Sequence, residues 1–308
     1  MEKARRTSSA QGSVRELARG LVNELVNYLG IQPTQPPKPM PLNWIASMLN
    51  VSIEYCPGGS LSHSDALLWR EDRSVIQPSL FALPGSPSET TENFSAFKAV
   101  VYSKGVRRRF SVAHELGHCL LERWLNSNER FSLGKKRLEV VVDLLASYLL
   151  VPDRVLQAIT GSATPFRIEL SWLFSTARQL EISVSALIAR LGNGSLDGVF
   201  RPSNCALAVG KKITDQEPRI VAVCTPAEWS VDTSKTLSQL GLNQLSRAFW
   251  FGAFFKPSRV KENIELKLRG KKGRIMSRQV CEYVVLPHQA GRIMFVVFDL
   301  PDVFVQRS

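Results

Sequence analysis

Cysteine is scarce and scattered. The five residues, Cys56, Cys119, Cys205, Cys224 and Cys281, contain no C-x-x-C pair. Their odd number and wide spacing exclude a disulfide framework and a four-cysteine metal site, and they fit a reducing compartment. Long apolar runs are missing too, since none approaches the roughly 20 residues that a membrane-crossing helix needs. The basic start, MEKARRTSSAQG, is not followed by the apolar stretch of a signal peptide. The expectation is a cytoplasmic protein with no membrane partner. Histidine is rarer still, with four residues: His63, His114, His118 and His288.

The remaining composition is that of a globular protein. Of the 308 residues, 44% are hydrophobic and 21% charged, enough for a sizeable core and for two domains. Lys and Arg outnumber Asp and Glu by 39 to 27, for a net charge of +12. Such a balance draws in nucleic acid or an acidic partner, or it simply keeps the surface soluble. The basic clusters at Lys3–Arg6, Arg107–Arg109, Lys135–Arg137 and Lys267–Arg274 carry no interleaved aromatics. A stacking surface for single-stranded nucleic acid is therefore not indicated.

Residues 1–12 read as a disordered polar tail. From Ser13, apolar residues recur at three and four (Val14, Leu17, Ala18, Leu21, Val22, Leu25, Leu29), which predicts an amphipathic helix stopped by Gly30. The prolines of IQPTQPPKPMP exclude a helix there. A short helix over Asn43–Asn50 and a strand over Val51–Tyr55 follow. Ala66–Trp69 and Ser74–Gln77, around the polar turn Arg70–Arg73, suggest a hairpin. Residues 83–93 read as a loop and Val100–Tyr102 as a short strand. Two long helices are expected from Arg107 to about Ile159, joined by the polar connection NSNERFSLGKK. A helical region at Glu169–Leu191 resembles a helix-turn-helix pair. The composition shift at Gly192–Pro202 marks a boundary. Beyond it lie strand-like runs at Cys205–Val209, Ile220–Cys224, Ile264–Leu268, Gln279–Leu286 and Arg292–Phe298, with a helix near Thr236–Phe249.

One motif carries chemistry. His114-Glu115-Leu116-Gly117-His118 is an H-E-x-x-H pattern within a helical stretch. Residues four apart share a helix face, so both imidazoles can reach one metal ion. Glu115 is turned from that face by about 100°, placed to take a proton from a water and pass it to a leaving amine. The bland alternative is a pair of surface histidines. Against it, half the histidines fall in this motif, within the apolar setting of Val112, Ala113, Leu116, Leu120 and Leu121. A catalytic zinc site needs a third protein ligand. A carboxylate on the following helix supplies one. Glu139 and Asp143, one turn apart, are the candidates, with the other free to orient a histidine.

At these residues the sequence resembles the ImmA/IrrE-type metallopeptidases. The likeness rests on Arg108-Arg-Phe-Ser-Val-Ala-His-Glu-Leu-Gly-His-Cys-Leu-Leu121, and on a second helix ending Leu149-Leu-Val-Pro152. It covers about residues 100–192. It implies that His114, His118 and Glu139 hold one divalent metal, Zn2+ or alternatively Mn2+, with Glu115 as general base. The family's usual asparagine on the second helix is Asp143 here, and its frequent Phe-Ala is Leu145-Ala146. The implied fold is α+β. A mostly helical zincin-like domain with a small sheet spans 13–195, with a helical extension at about 165–192. An α+β domain, GAF-like by its position, spans 203–308. The implied activity is a zinc-type metalloendopeptidase that cleaves a helix-turn-helix transcriptional repressor in stress response or mobile-element control. The competing reading is a DNA- or protein-binding regulator that keeps the fold and cleaves nothing.

Other features have plainer readings beside functional ones. The helices at 169–191 are either packing elements or a DNA-binding module. Cys119 is a core residue or a redox switch. Tyr102 and Tyr148 are both candidates to stabilise an oxyanion. The cluster Ala248–Phe255 is core, or it lines an effector pocket.

Overall fold

The computed structural model describes residues 2–33, 37–56, 66–76, 93–103, 105–124, 127–161, 165–210, 217–226, 229–230, 249, 260–270, 273–288 and 291–299. His63, the 83–92 part of the expected loop and most of the expected 236–249 helix lie outside them. So does the 248–255 cluster apart from Phe249, which is buried. The chain is α+β and forms two compact units: Met1–Ile31 with Pro39–Pro152, and Gln32–Lys38 with Asp153–Ser308.

In the first unit, α1 (Glu2–Tyr28) takes in the residues read from sequence as a tail. No proline interrupts it, and its apolar stripe buries Ala18, Leu21, Val22, Leu25 and Val26. It stops where expected. Gly30 adopts φ +60°, and the Ile31 N–H reaches back to the Val26 carbonyl, satisfying an orphan acceptor of the last turn. Then come α2 (Leu42–Met48), β1 (Val51–Tyr55), β2 (Ala66–Ile76), β3 (Asn93–Val101), α3 (Val106–Trp124) and α4 (Ser127–Leu150). The three strands form a sheet in the order β1-β3-β2, with β1 parallel and β2 antiparallel to β3.

Two expectations are corrected here. Residues 66–76 are not a hairpin but one strand, because both halves pair with β3. The polar residues Asp72 and Arg73 have no partner in the register and form a bulge between Glu71 and Ser74, where a turn was expected. The polar connection NSNERFSLGKK is largely helix, because α4 begins at Ser127. It contains no proline, and its single glycine, Gly134, costs a helix only about 1 kcal/mol.

In the second unit, α5 (Asp153–Thr160), α6 (Leu170–Gln179) and α7 (Val184–Leu196) precede β4 (Asn204–Gly210), β5 (Arg219–Cys224), β6 (Trp229–Ser230), β7 (Val260–Gly270), β8 (Gly273–His288) and β9 (Gly291–Asp299). The strands make one antiparallel sheet in the order β5-β4-β9-β8-β7-β6. β4 runs between β5 and β9, inside the sheet, and is buried along nearly its whole length. Helix α6 packs on β9 through an edge-on contact of Phe174 with Phe295, centroids 5.5 Å apart. Helix α7 lies along β5 and β4. A Cβ at Gly192 would fall 2.1 Å from the Val223 carbonyl oxygen, so only glycine permits that approach.

The α6–α7 pair joins through Leu180–Ser183, and Ser183 caps α7 by accepting from the Ala186 N–H at 3.1 Å. Helix α7 buries Val184, Leu187, Ile188, Arg190 and Leu191. That burial favours the packing reading of this pair over a recognition helix, which must present side chains to a groove.

Candidate metal centre

The site is built by two helices of the first unit. In α3 the apolar residues Val112, Ala113, Leu116, Leu120 and Leu121 are buried, and in α4 so are Val141, Val142, Leu145, Ala146 and Leu149. The helices meet closely at Gly117, where a Cβ would stand 3.2 Å from Val142 Cγ1 and 3.3 Å from the Val142 carbonyl oxygen. The glycine inside the motif thus lets α4 come near enough to bring Glu139 to the histidines. At the far end Arg123 donates to the Leu49 carbonyl, just past α2. Arg109 donates to the Met40 carbonyl at 2.6 Å, so α3 is tied to both flanks of α2.

His114, His118 and Glu139 come together, each offering one ligand atom, and all three atoms lie within 4.8 Å of one another. Glu139 Oε2 is 3.5 Å from His114 Nε2 and 3.8 Å from His118 Nε2. The rings stand edge to face with centroids 4.9 Å apart. They are 22% and 26% exposed, open enough for a ligand to approach. Two imidazoles and a carboxylate suit a divalent cation of the zinc type, and this group could hold one.

Asp143 lies on the other side. Its Oδ1 is 3.1 Å from His114 Nδ1. A carboxylate that can only accept fixes the proton on Nδ1, which leaves the Nε2 lone pair facing Glu139. Of the two carboxylates left open by spacing, Glu139 therefore faces the shared nitrogens and Asp143 orients a ring. Asp143→Ala is expected to weaken metal binding by about 10–100-fold. Titration of the chelator-stripped protein with zinc measures it, and unchanged affinity removes the orienting role.

The electrostatics follow from burial and crowding. Glu115 is 6% exposed. Burial raises its carboxyl from 4.5 to about 7; the His114 charge opposes the rise and Glu139 adds to it. For His114, burial works downward, but the Asp143 hydrogen bond and the charges of Glu115, Asp143 and Glu139 outweigh it and raise the ring above its ordinary value. His118 is lowered, by burial first and then by His114. Burial pushes the Cys119 thiol far up, which fits a core residue rather than a reactive one. Tyr148 is buried in α4, and Tyr102 lies half-buried in the segment leading into α3. His288 ends β8 in the second unit. One contact went unread in the sequence. The Phe110 ring lies 6.2 Å from that of His114, one helical turn earlier, and four-residue spacing was the signal for it.

Comparison with known proteins agrees with the motif. Residues 102–191 match the peptidase family M78 model, described as the IrrE N-terminal-like domain. No curated protein matches the chain. Among solved structures, a Mycobacterium tuberculosis transcriptional regulator aligns at 10% identity, covering 96% of this chain and 92% of its own. Its TM-score is 0.44, too low for the likeness to bear on fold or function. Residues 102–191 thus match a domain model of the ImmA/IrrE type, which is of the metallopeptidase kind.

Proposed function

We propose that this protein is a metal-dependent endopeptidase in which His114, His118 and Glu139 hold a divalent cation, zinc in preference to manganese, and Glu115 is the general base. The observation that carries the reading is the pairing of two sides of one ring. Nε2 of His114 faces the oxygen that His118 also faces, while Asp143 holds its Nδ1. Surface histidines without a shared ligand have no need of that arrangement. The bound cation would act as a Lewis acid on the scissile carbonyl and on water. Glu115, buried beside the pair with its carboxyl raised to about 7, is matched to move protons near neutral pH. It takes a proton from the attacking water and passes it to the departing amine nitrogen. Asp143 keeps the His114 ring in place through the cycle.

The substrate we propose is a helix-turn-helix transcriptional repressor, in a stress-response or mobile-element circuit. This rests on the family resemblance. The second unit, with its six-stranded antiparallel sheet and the cleft lined by Arg167, Asn204, Glu282 and Asp299, is proposed as the GAF-like sensor that gates the peptidase. Incubating candidate repressors with wild-type and Glu115→Gln protein tests the activity. Cleavage by the wild type alone supports it, and cleavage by both rules out Glu115 as base.

A further inference from the structure

On α2, at the end of β1 and in the first turn of α3, the first unit exposes three side chains of the types that dominate protein interfaces. Trp44 is 43% exposed and Tyr55 39%, although both are large and partly apolar. The Arg108 guanidinium lies over the Tyr55 ring at 4.9 Å from its centroid. The Tyr55 hydroxyl donates to Asn43 Oδ1 at 2.9 Å, which ties the ring to the exposed face of α2 beside Trp44. A single exposed aromatic calls for no explanation, but a tyrosine held between an arginine and Asn43, with an exposed tryptophan next to that asparagine in the chain, has the composition of a binding hot spot. The ring and guanidinium hold each other in place, so little side-chain entropy remains to be lost when a partner arrives.

We propose that Trp44, Tyr55 and Arg108 form a docking surface for an acidic segment of the protein on which the metal centre acts. The identity of the partner as a substrate rests on the peptidase reading; the surface itself does not. Charge selects the occupant. Arg108 belongs to the basic run Arg107–Arg109, in a chain of net charge +12. A carboxylate on the partner can pair with the guanidinium while an apolar neighbour covers the rings. Arg108 precedes His114 by six residues on one helix, about 9 Å along its axis and about 120° around it, so the surface flanks the metal centre rather than sharing its face.

The test is binding, read by fluorescence anisotropy on Glu115→Gln protein so that cleavage plays no part. The probes are a labelled ten-residue peptide with four glutamates around a central leucine, and its lysine-for-glutamate counterpart. The glutamate peptide should bind the tighter. Arg108→Glu and Trp44→Ala should each weaken it by about tenfold. Arg178→Glu, an equal charge change on exposed α6, should alter it less than twofold. Arg108 is exposed, so its variant should melt with the parent. Equal losses from Arg108→Glu and Arg178→Glu would show that only net charge matters and overturn the proposal. Metal content of the same preparations separates the two readings. Binding without metal sinks the peptidase and keeps the docking surface; metal without binding does the reverse.

Discussion

Glu115→Gln is expected to lower cleavage by about 10²–10⁴-fold, the usual contribution of a positioned general base, while the metal stays bound. The same substitution should also stabilise the metal-free protein at alkaline pH. Glu115 is buried, and its carboxyl is raised from 4.5 to about 7. A group raised in this way contributes stability that is fully present below 4.5 and is lost as pH rises through about 7. At pH 8 the stripped protein therefore carries a buried charge without its cation, a cost of roughly 3 kcal/mol at most. Glutamine removes that cost. After chelation, the variant should melt higher than wild type at pH 8, and the gap should close toward pH 5. A variant that melts below wild type at pH 8 would mean that the carboxylate is held by contacts other than those described. As the proposed base, one residue would serve chemistry at the expense of stability, a common trade at an active site.

Asp153→Ala should cost the second unit about 3–5 kcal/mol. The Arg190 side chain is 1% exposed and that of Asp153 8%, and they meet at 2.6 Å, joining α5 to α7. Space there is tight, because a Cβ at Gly194 would come within 2.3 Å of Leu156 Cδ2 and 3.3 Å of an Arg190 nitrogen. Removing the carboxylate leaves a guanidinium buried with little water to replace its partner. For a unit of this size the melting temperature should fall by roughly 10 °C. Arg190→Met alone should cost a similar amount. The double replacement Asp153→Ala with Arg190→Met should cost far less than the two together, because neither charge then loses its partner. Denaturant unfolding of the four proteins measures the coupling. Simple additivity would show that the pair does not act as a unit.

How far the sequence could be read depends on how local the cause is. Helix periodicity exposed α1 only from Ser13 onward, together with the motif face of α3, and Gly30 ended α1 where a left-handed residue was needed. The strands β4, β5 and β9 were legible as apolar runs because they are short and nearly wholly apolar. The hairpin at 66–76 was misread because a bulge and a turn use the same polar residues, and only the pairing with β3 decides between them. The start of α4 was misread because SNERFSLGKK holds only two large apolar residues, Phe131 and Leu133, and two positions apart they make no helical stripe. Within the site, His114, Glu115 and His118 were legible from spacing. Glu139 and Asp143, one turn apart, were not separable by it. Their division of labour depends on the close crossing at Gly117, a tertiary fact that the family resemblance stood in for.

If His114, His118 and Glu139 form a metal centre, the purified protein carries the metal, and elemental analysis reads it. Mass spectrometry of wild type should give about one equivalent of zinc or manganese per chain, as a site of three protein ligands requires. The His114→Ala/His118→Ala variant should give essentially none. Wild type that stays empty after reconstitution with either metal, or a variant that retains it, would contradict the account and leave the chain as a regulator that keeps the fold without the chemistry.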